Sequence, residues 1–348
     1  MKEISQWPEA IIAICETTND WKFYYHLIEH LPDQLANKSF FAACSAVIIR
    51  LCALLSQQLI KSEIPDWKSY DMAKRVEVTL RLQKILTVII GYHDNIPKTQ
   101  SDDLVRCFQV NMGRHSTVLT KSCIHALMVC CHELPNSTAR RLSAIVQNLS
   151  HHITNPSLSV HILEFLVGVG RIPSIHVDFT GDEFSIVFQV AFKYLQHSQS
   201  VVRERGFQSE SAARLSKYIV YLAYETLTVW FLALKLQLRP GYVGWLVRQL
   251  ALANDDRELD DHATVFVDML ERFTYADSPL QKYPDSGETV GQVTYKKDWV
   301  VGRAVITIET VGEDGHVKVT RRKSVHTRSF CFLLIKGEYA CNVCSGRD

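Results

Sequence analysis

The chain carries almost no net charge: 38 Lys and Arg stand against 37 Asp and Glu, a balance of +1. A protein that gathers nucleic-acid phosphate or an anionic membrane over its whole surface needs an excess of cations, so no nucleic-acid partner is expected. No secretory leader is expected either. MKEISQWPEAIIAIC offers one lysine, then Glu3, Pro8 and Glu9, and an apolar run too short for export. Nor is there an unbroken apolar run of spanning length. The stretch at 40–60 carries Arg50, and the stretch at 218–238 carries Glu225 and Lys235. Each such charge costs about 2.5–3.5 kcal/mol near a bilayer centre, so no transmembrane span is expected. Phosphate-loop, zinc-protease and nucleophile-elbow motifs (GxxxxGK[ST], HExxH, GxSxG) are all absent, and no cofactor or resident metal is expected. LEFLVGVGRIPSI, Leu163 to Ile175, comes near a dinucleotide fingerprint, but Pro173 stands where the third glycine is needed.

Cysteine is sparse for a disulfide scaffold. Ten residues in 348 are about 3% of the chain, far below the density of small secreted domains. Cys15, Cys44, Cys52, Cys107, Cys123, Cys130 and Cys131 fall inside apolar helical patterns and read as small buried hydrophobes in a reducing, cytoplasmic compartment.

What is present is apolar periodicity. Leu142, Ile145, Val146 and Leu149 follow the i, i+3, i+4, i+7 spacing of a one-sided helix, as do Val243, Leu246, Val247, Leu250 and Phe266, Met269, Leu270, Phe273. Breaks are expected at Pro32, at Pro135-Asn136, at Asn155-Pro156 and at Arg239-Pro240-Gly241, with Ser137 or Thr138, and Ser157, as N-caps. Gly170 is expected to end its helix in the left-handed conformation, with Pro173 barring continuation. Grouped in pairs, the helices give hairpins near 38–93, 98–133, 137–170, 178–235 and 239–275. Three consecutive pairs start roughly 40 residues apart, the period of HEAT and armadillo repeats, whose units stack because none buries its inner face alone. The polar stretch 200–214 reads as a mobile insertion. The fold class is mostly α: a HEAT/armadillo-like α-solenoid over residues 1–276, a linker over 277–292 and a small β-rich module over 293–348, where β-branched residues alternate and Glu313-Asp314-Gly315 suits a hairpin turn.

Few side chains suggest chemistry. Cys341 and Cys344 form one C-x-x-C, with Cys331 and His326 the other ligand types near in sequence, which is short of the four-ligand set of structural zinc. CIHALMVCCHE gathers Cys123, His125, Cys130, Cys131 and His132, but the cysteines adjoin the apolar face of a helix. A zinc or thiol hydrolase built on either group is therefore the lesser reading, and core packing the favoured one. His151-His152 is placed to complement a helix C-terminus. Arg321-Arg322-Lys323-Ser324 matches a basophilic kinase site, with Ser324 as acceptor.

HILEFLVGVGRIPSI resembles a signature in the helical-repeat region of the tuberin family, GTPase-activating subunits of the tuberous sclerosis complex. GYHDNIPKT, SKYIVYLAYETLTVWF and DMLERF are similar to further stretches of that family in the same order, and WVVGRAVITIETVG is similar to the segment that opens its β-rich dimerisation region. The resemblance covers roughly residues 80–312 and is of a fungal or other non-animal type. It implies a non-catalytic scaffold that binds a coiled-coil protein of the hamartin type and pairs with a second tuberin copy. Trp299, Val300, Val301 and Gly302 are its implied dimerisation residues. In the complete family member a separate GTPase-activating domain, not seen in this chain, acts on a Rheb-type GTPase and restrains TOR signalling, in the cytoplasm and peripherally on lysosomal or vacuolar membranes. The chain is accordingly expected to be a fragment or truncated product without catalytic residues. A repeat subunit of a Ral-type GTPase-activating complex is the runner-up.

Overall fold

The computed structural model describes residues 2–18, 20–41, 44–61, 72–113, 116–205, 210–254 and 261–274, and the strands within 293–344. The chain divides into two units, Met1–Tyr275 and Ala276–Asp348.

The first unit is helical. It opens with α1 (Lys2–Thr17), α2 (Trp21–Leu35) and the single turn α3 (Lys38–Phe41). Pairs follow: α4 (Ser45–Lys61) with α5 (Met72–Ile90), and α6 (Lys98–Asn111) with α7 (Thr117–Glu133). Next come α8 (Pro135–Ala139) and α9 (Leu142–Ser150) before α10 (Ser159–Gly170), then α11 (Gly181–Arg205) with α12 (Glu210–Ala233) and α13 (Arg239–Ala253) with α14 (Asp261–Thr274). The pairs lie in two rows. In one, α4, α6, α9, α11 and α13 each pack on the next; in the other, α2, α5, α7, α10, α12 and α14 do the same. Each helix inside a row therefore has row neighbours on two sides and the facing row on a third, the solenoid-like stack that one-sided helices need to bury their apolar stripes. One continuous core runs through it, from Ile11 to Leu270.

The stripes explain the helices. Leu142, Ile145, Val146 and Leu149 are all buried along α9. On α14 the buried set is Ala263, Phe266, Leu270 and Thr274, while Phe273, in the same last turn as Thr274, is exposed.

Several local expectations are corrected. Pro32 lies inside α2, which continues to Leu35. The one backbone bond a proline removes is tolerated in a last turn that is packed, with Leu31, Pro32 and Leu35 buried. Ser137 and Thr138 do not cap: Pro135 starts α8, and the Thr138 hydroxyl donates to the carbonyls of Cys130 and Leu134, both at 3.0 Å. Ser157 is not a cap: Asn155 caps the short 3-10 turn Pro156–Leu158 that leads into α10, accepting from the Ser157 N–H at 3.1 Å, and α10 itself has no side-chain cap. The supposed insertion at 200–214 is largely helix, as α11 extends to Arg205 and α12 begins at Glu210. Among the described residues no single helix is long and apolar enough to cross a membrane.

In the second unit, β1 (Val293–Val301), β2 (Ala304–Val311), β3 (His316–Lys323), β4 (Thr327–Ile335) and β5 (Glu338–Cys344) form an antiparallel meander in the order β1-β2-β3-β4-β5. Sequential hairpin pairing of this kind needs only short turns. The segment 277–292 and the Glu313-Asp314-Gly315 turn lie outside the described residues.

Candidate interaction surface

The row made of α2, α5, α7, α10, α12 and α14 has one face against the other row and one face outward. Exposed contacts between its consecutive helices must lie on the outward face, and they mark it out. Between α2 and α5 they are charged: Tyr25 donates to Glu77 at 2.5 Å, Arg81 to Glu29 at 3.3 Å, Lys84 Nζ lies 3.7 Å from Asp33, and Lys74 sits 5.0 Å above the Trp21 ring. Between α10 and α12 the Tyr218 hydroxyl donates to Glu164 at 2.8 Å and Arg171 to Glu225 at 2.5 Å. The Glu164 carboxylate, by accepting that bond, raises the Tyr218 pKa and keeps it a phenol.

Between these polar contacts α12 also exposes large, mainly apolar side chains. Leu215, Tyr218 and Tyr221 recur every three residues, so they share one side of the helix. They are 50%, 41% and 54% exposed, and Val265 of α14 is 68% exposed beside them. Large side chains left in water at this density on one face are what a protein-binding surface offers. Two depressions flank the stripe. One, of about 360 Å³, opens between α12 and α14 and is lined by Tyr221, Tyr224, Glu225, Val265, Phe266 and Met269. The other, of about 190 Å³, lies among α10, α11 and α12, with Tyr194, Leu215 and Ile219 on its walls and Ser198 and Ser216 joined at 2.6 Å. The Tyr194 hydroxyl is buried without a hydrogen-bond partner among the described residues. The patch is thus apolar with a few polar points, a combination that grips a side chain and fixes its orientation.

What holds α12 in place is the LEFLVGVGRIPSI stretch. Trp230 is fully buried, and its indole N–H reaches the Leu166 carbonyl of α10 at 2.8 Å. That approach leaves no room for a side chain on α10: a Cβ at Gly170 would lie 2.7 Å from Val229 Cγ1 and 2.9 Å from Trp230 Nε1. Gly170 is the last helical residue, followed by Arg171 in ordinary right-handed geometry. The expected left-handed terminator is therefore replaced by a close-contact glycine. His176 closes the junction, with Nε2 3.2 Å from the Gly170 carbonyl and its ring against Trp230 and Phe179. Burial lowers its pKa and favours the neutral ring.

The other sequence candidates separate. Cys123, Cys130 and Cys131 are buried, whereas His125 and His132 are exposed, so thiols and imidazoles sit on opposite sides of α7. Burial pushes the Cys131 thiol up to about 12 and those of Cys123 and Cys130 well above the ordinary value, leaving protonated thiols unsuited to attack. His151 caps α9, but burial, then the neighbouring His151, lowers the His152 pKa and favours its uncharged form, against the expected role of a cationic helix-end partner. Trp299, Val300 and Val301 end β1, opposite Ile306, Val305 and Ala304 of β2. Gly302 and Ser324 lie outside the described residues. Cys341 and Cys344 are both on β5, where an offset of three puts the two positions on opposite faces. The α12 stripe was not singled out from sequence, because its aromatic residues sit within a run that is apolar on nearly all sides.

Comparison with known proteins matches the tuberin family model to residues 3–237. A Schizosaccharomyces pombe protein described as a tuberous sclerosis 2 protein homolog is 31% identical over 325 residues, covering 91% of this chain and 24% of its own length. A second, uncharacterized protein of the same yeast is 19% identical over 331 residues, covering 94% of this chain and 25% of its own length. The chain spans about a quarter of the length of these curated relatives.

Proposed function

The chain belongs to the tuberin family, and on that premise we propose that it is a non-catalytic scaffold region of a tuberin-like GTPase-activating protein. Its helical stack holds a coiled-coil partner of the hamartin type, and its small β module, through the end of β1, supports pairing with a second tuberin copy. A GTPase-activating domain elsewhere in such a protein then acts on a Rheb-type GTPase and restrains TOR signalling, in the cytoplasm and on vacuolar or lysosomal surfaces. The observation that carries the scaffold reading is the apolar α12–α14 face set within a two-row stack with one continuous core. It offers contact area and positioning, while the cysteines near histidines on α7 are buried and protonated. A long one-sided stack presents extended surface, which suits an extended helical partner.

Affinity capture of the full chain with hamartin segments tests this reading. Specific retention of one coiled-coil segment is the expected result. No association with either full-length hamartin or full-length tuberin would overturn it.

A further inference from the structure

On α2 the residues His26, Glu29 and His30 stand at offsets of three and four, which brings them to one side of the helix. Their ligand-capable atoms all lie within 4.8 Å of one another. The two imidazoles meet edge to face with centroids 4.6 Å apart. Both are exposed, so each ring can change rotamer without disturbing the core. Glu29 is oriented from the next helix in the row: Arg81 Nη2 donates to Glu29 Oε1 at 3.3 Å. Arg81 is itself steadied by Tyr25, whose hydroxyl lies 3.5 Å from the same nitrogen. Only Oε1 of Glu29 is engaged among the described residues, which leaves Oε2 to act as a donor. An outer partner that fixes a carboxylate in this way is a usual companion of a metal ligand.

We propose that His26, Glu29 and His30 form a divalent transition-metal site of the zinc type on the outward face of α2. Two imidazole nitrogens and one carboxylate oxygen are a donor set zinc accepts, and three protein ligands leave the fourth tetrahedral position to water. Donor atoms around a tetrahedral zinc lie about 3.3 Å apart, so the three groups close by rotamer adjustment and the backbone stays in place. Calcium and magnesium call for more oxygen ligands than this face supplies. The site lies on α2, apart from the α12–α14 surface, and a bound ion would tie consecutive turns of the helix that sits next to α5 in the outward row. It rests on neither the hamartin nor the dimerisation reading.

The test uses the full chain carrying Cys341→Ser and Cys344→Ser, so that the two β5 cysteines do not compete. Zinc is titrated against a chromophoric chelator at about pH 7.5, where imidazoles are free to coordinate. In parallel, histidine modification by diethyl pyrocarbonate is mapped by mass spectrometry with and without zinc. One equivalent bound, strong protection of His26 and His30 with none at the exposed His125 and His132, and at least about tenfold weaker binding in the His26→Gln/His30→Gln variant are the expected results. Absence of bound zinc in the parent, or equal affinity in the double variant, overturns the site. Should the metal-free variant melt below its parent, the parent's labelling decides alone: unprotected His26 and His30 overturn the proposal, and protected ones sustain it.

Discussion

At Gly170 the neighbours of an added Cβ are a β-branched side chain and an indole held by a hydrogen bond, and neither has a free direction in which to move. Gly170→Ala is expected to cost about 1–3 kcal/mol, read as a lower urea midpoint. Gly168 is the control. Its added Cβ would meet the end of the Met128 side chain, which swings aside, and the better helix propensity of alanine returns up to about 1 kcal/mol. A larger loss at 168 than at 170 would show that the α10–α12 approach is not what these glycines serve. His176 supplies a pH dependence. Its folded pKa is below the ordinary value, so in acid the unfolded chain binds more protons than the native one. Stability from this group is full above about pH 6.5 and falls as the pH drops below it. His152 shifts in the same direction, so His176→Gln should flatten part of the slope in urea midpoint between about pH 7 and 5. An unchanged slope would sink this assignment.

Elements show which signals a sequence carries well. Apolar spacing located α9, α13 and α14 because a stripe that must be buried imposes its period directly on the chain. Capping was less legible. Ser137 and Thr138 have the right chemistry for an N-cap, yet Pro135, pre-set for a first helical turn, begins the helix two residues earlier and leaves Thr138 to bond backward into α7. Pro32 shows the converse, where packing of a terminal turn outweighs one missing hydrogen bond. Asp20 does cap α2, accepting from the Lys22 N–H at 2.9 Å, and Asp20→Ala should cost about 1 kcal/mol in the same urea assay. The α12 face went unassigned because an apolar pattern read along the chain does not tell which side a neighbouring helix covers. Tyr218→Ala with Tyr221→Ala removes exposed contact area, so the melting temperature should move little. Partner capture should weaken by about 2 kcal/mol or more if the stripe is an interface centre. Undiminished capture by this variant would place the interface elsewhere.

On the scale of the whole molecule, the core runs without a gap from Ile11 to Leu270, all within the first unit. Residues 1–275 expressed alone should therefore give a helical circular-dichroism spectrum and melt cooperatively, and a chain that stays unfolded without residues 276–348 would contradict this division. The family was legible because short motifs kept their order. The metal-ligand triad on α2 was not, since H-x-x-E-H becomes a group only when the segment is helical and Arg81 is brought beside it. The rungs of the outward row carry one more consequence. Tyr25 to Glu77 spans 52 residues, Tyr25 to Arg81 spans 56, and Glu164 to Tyr218 and Arg171 to Glu225 each span 54. These rungs, and the shorter one from Gln83 on α5 to Cys123 on α7 across 40 residues, join row neighbours that lie close along the chain, so the stack can assemble pair by pair behind the ribosome, each newly emerged hairpin docking on a surface already in place.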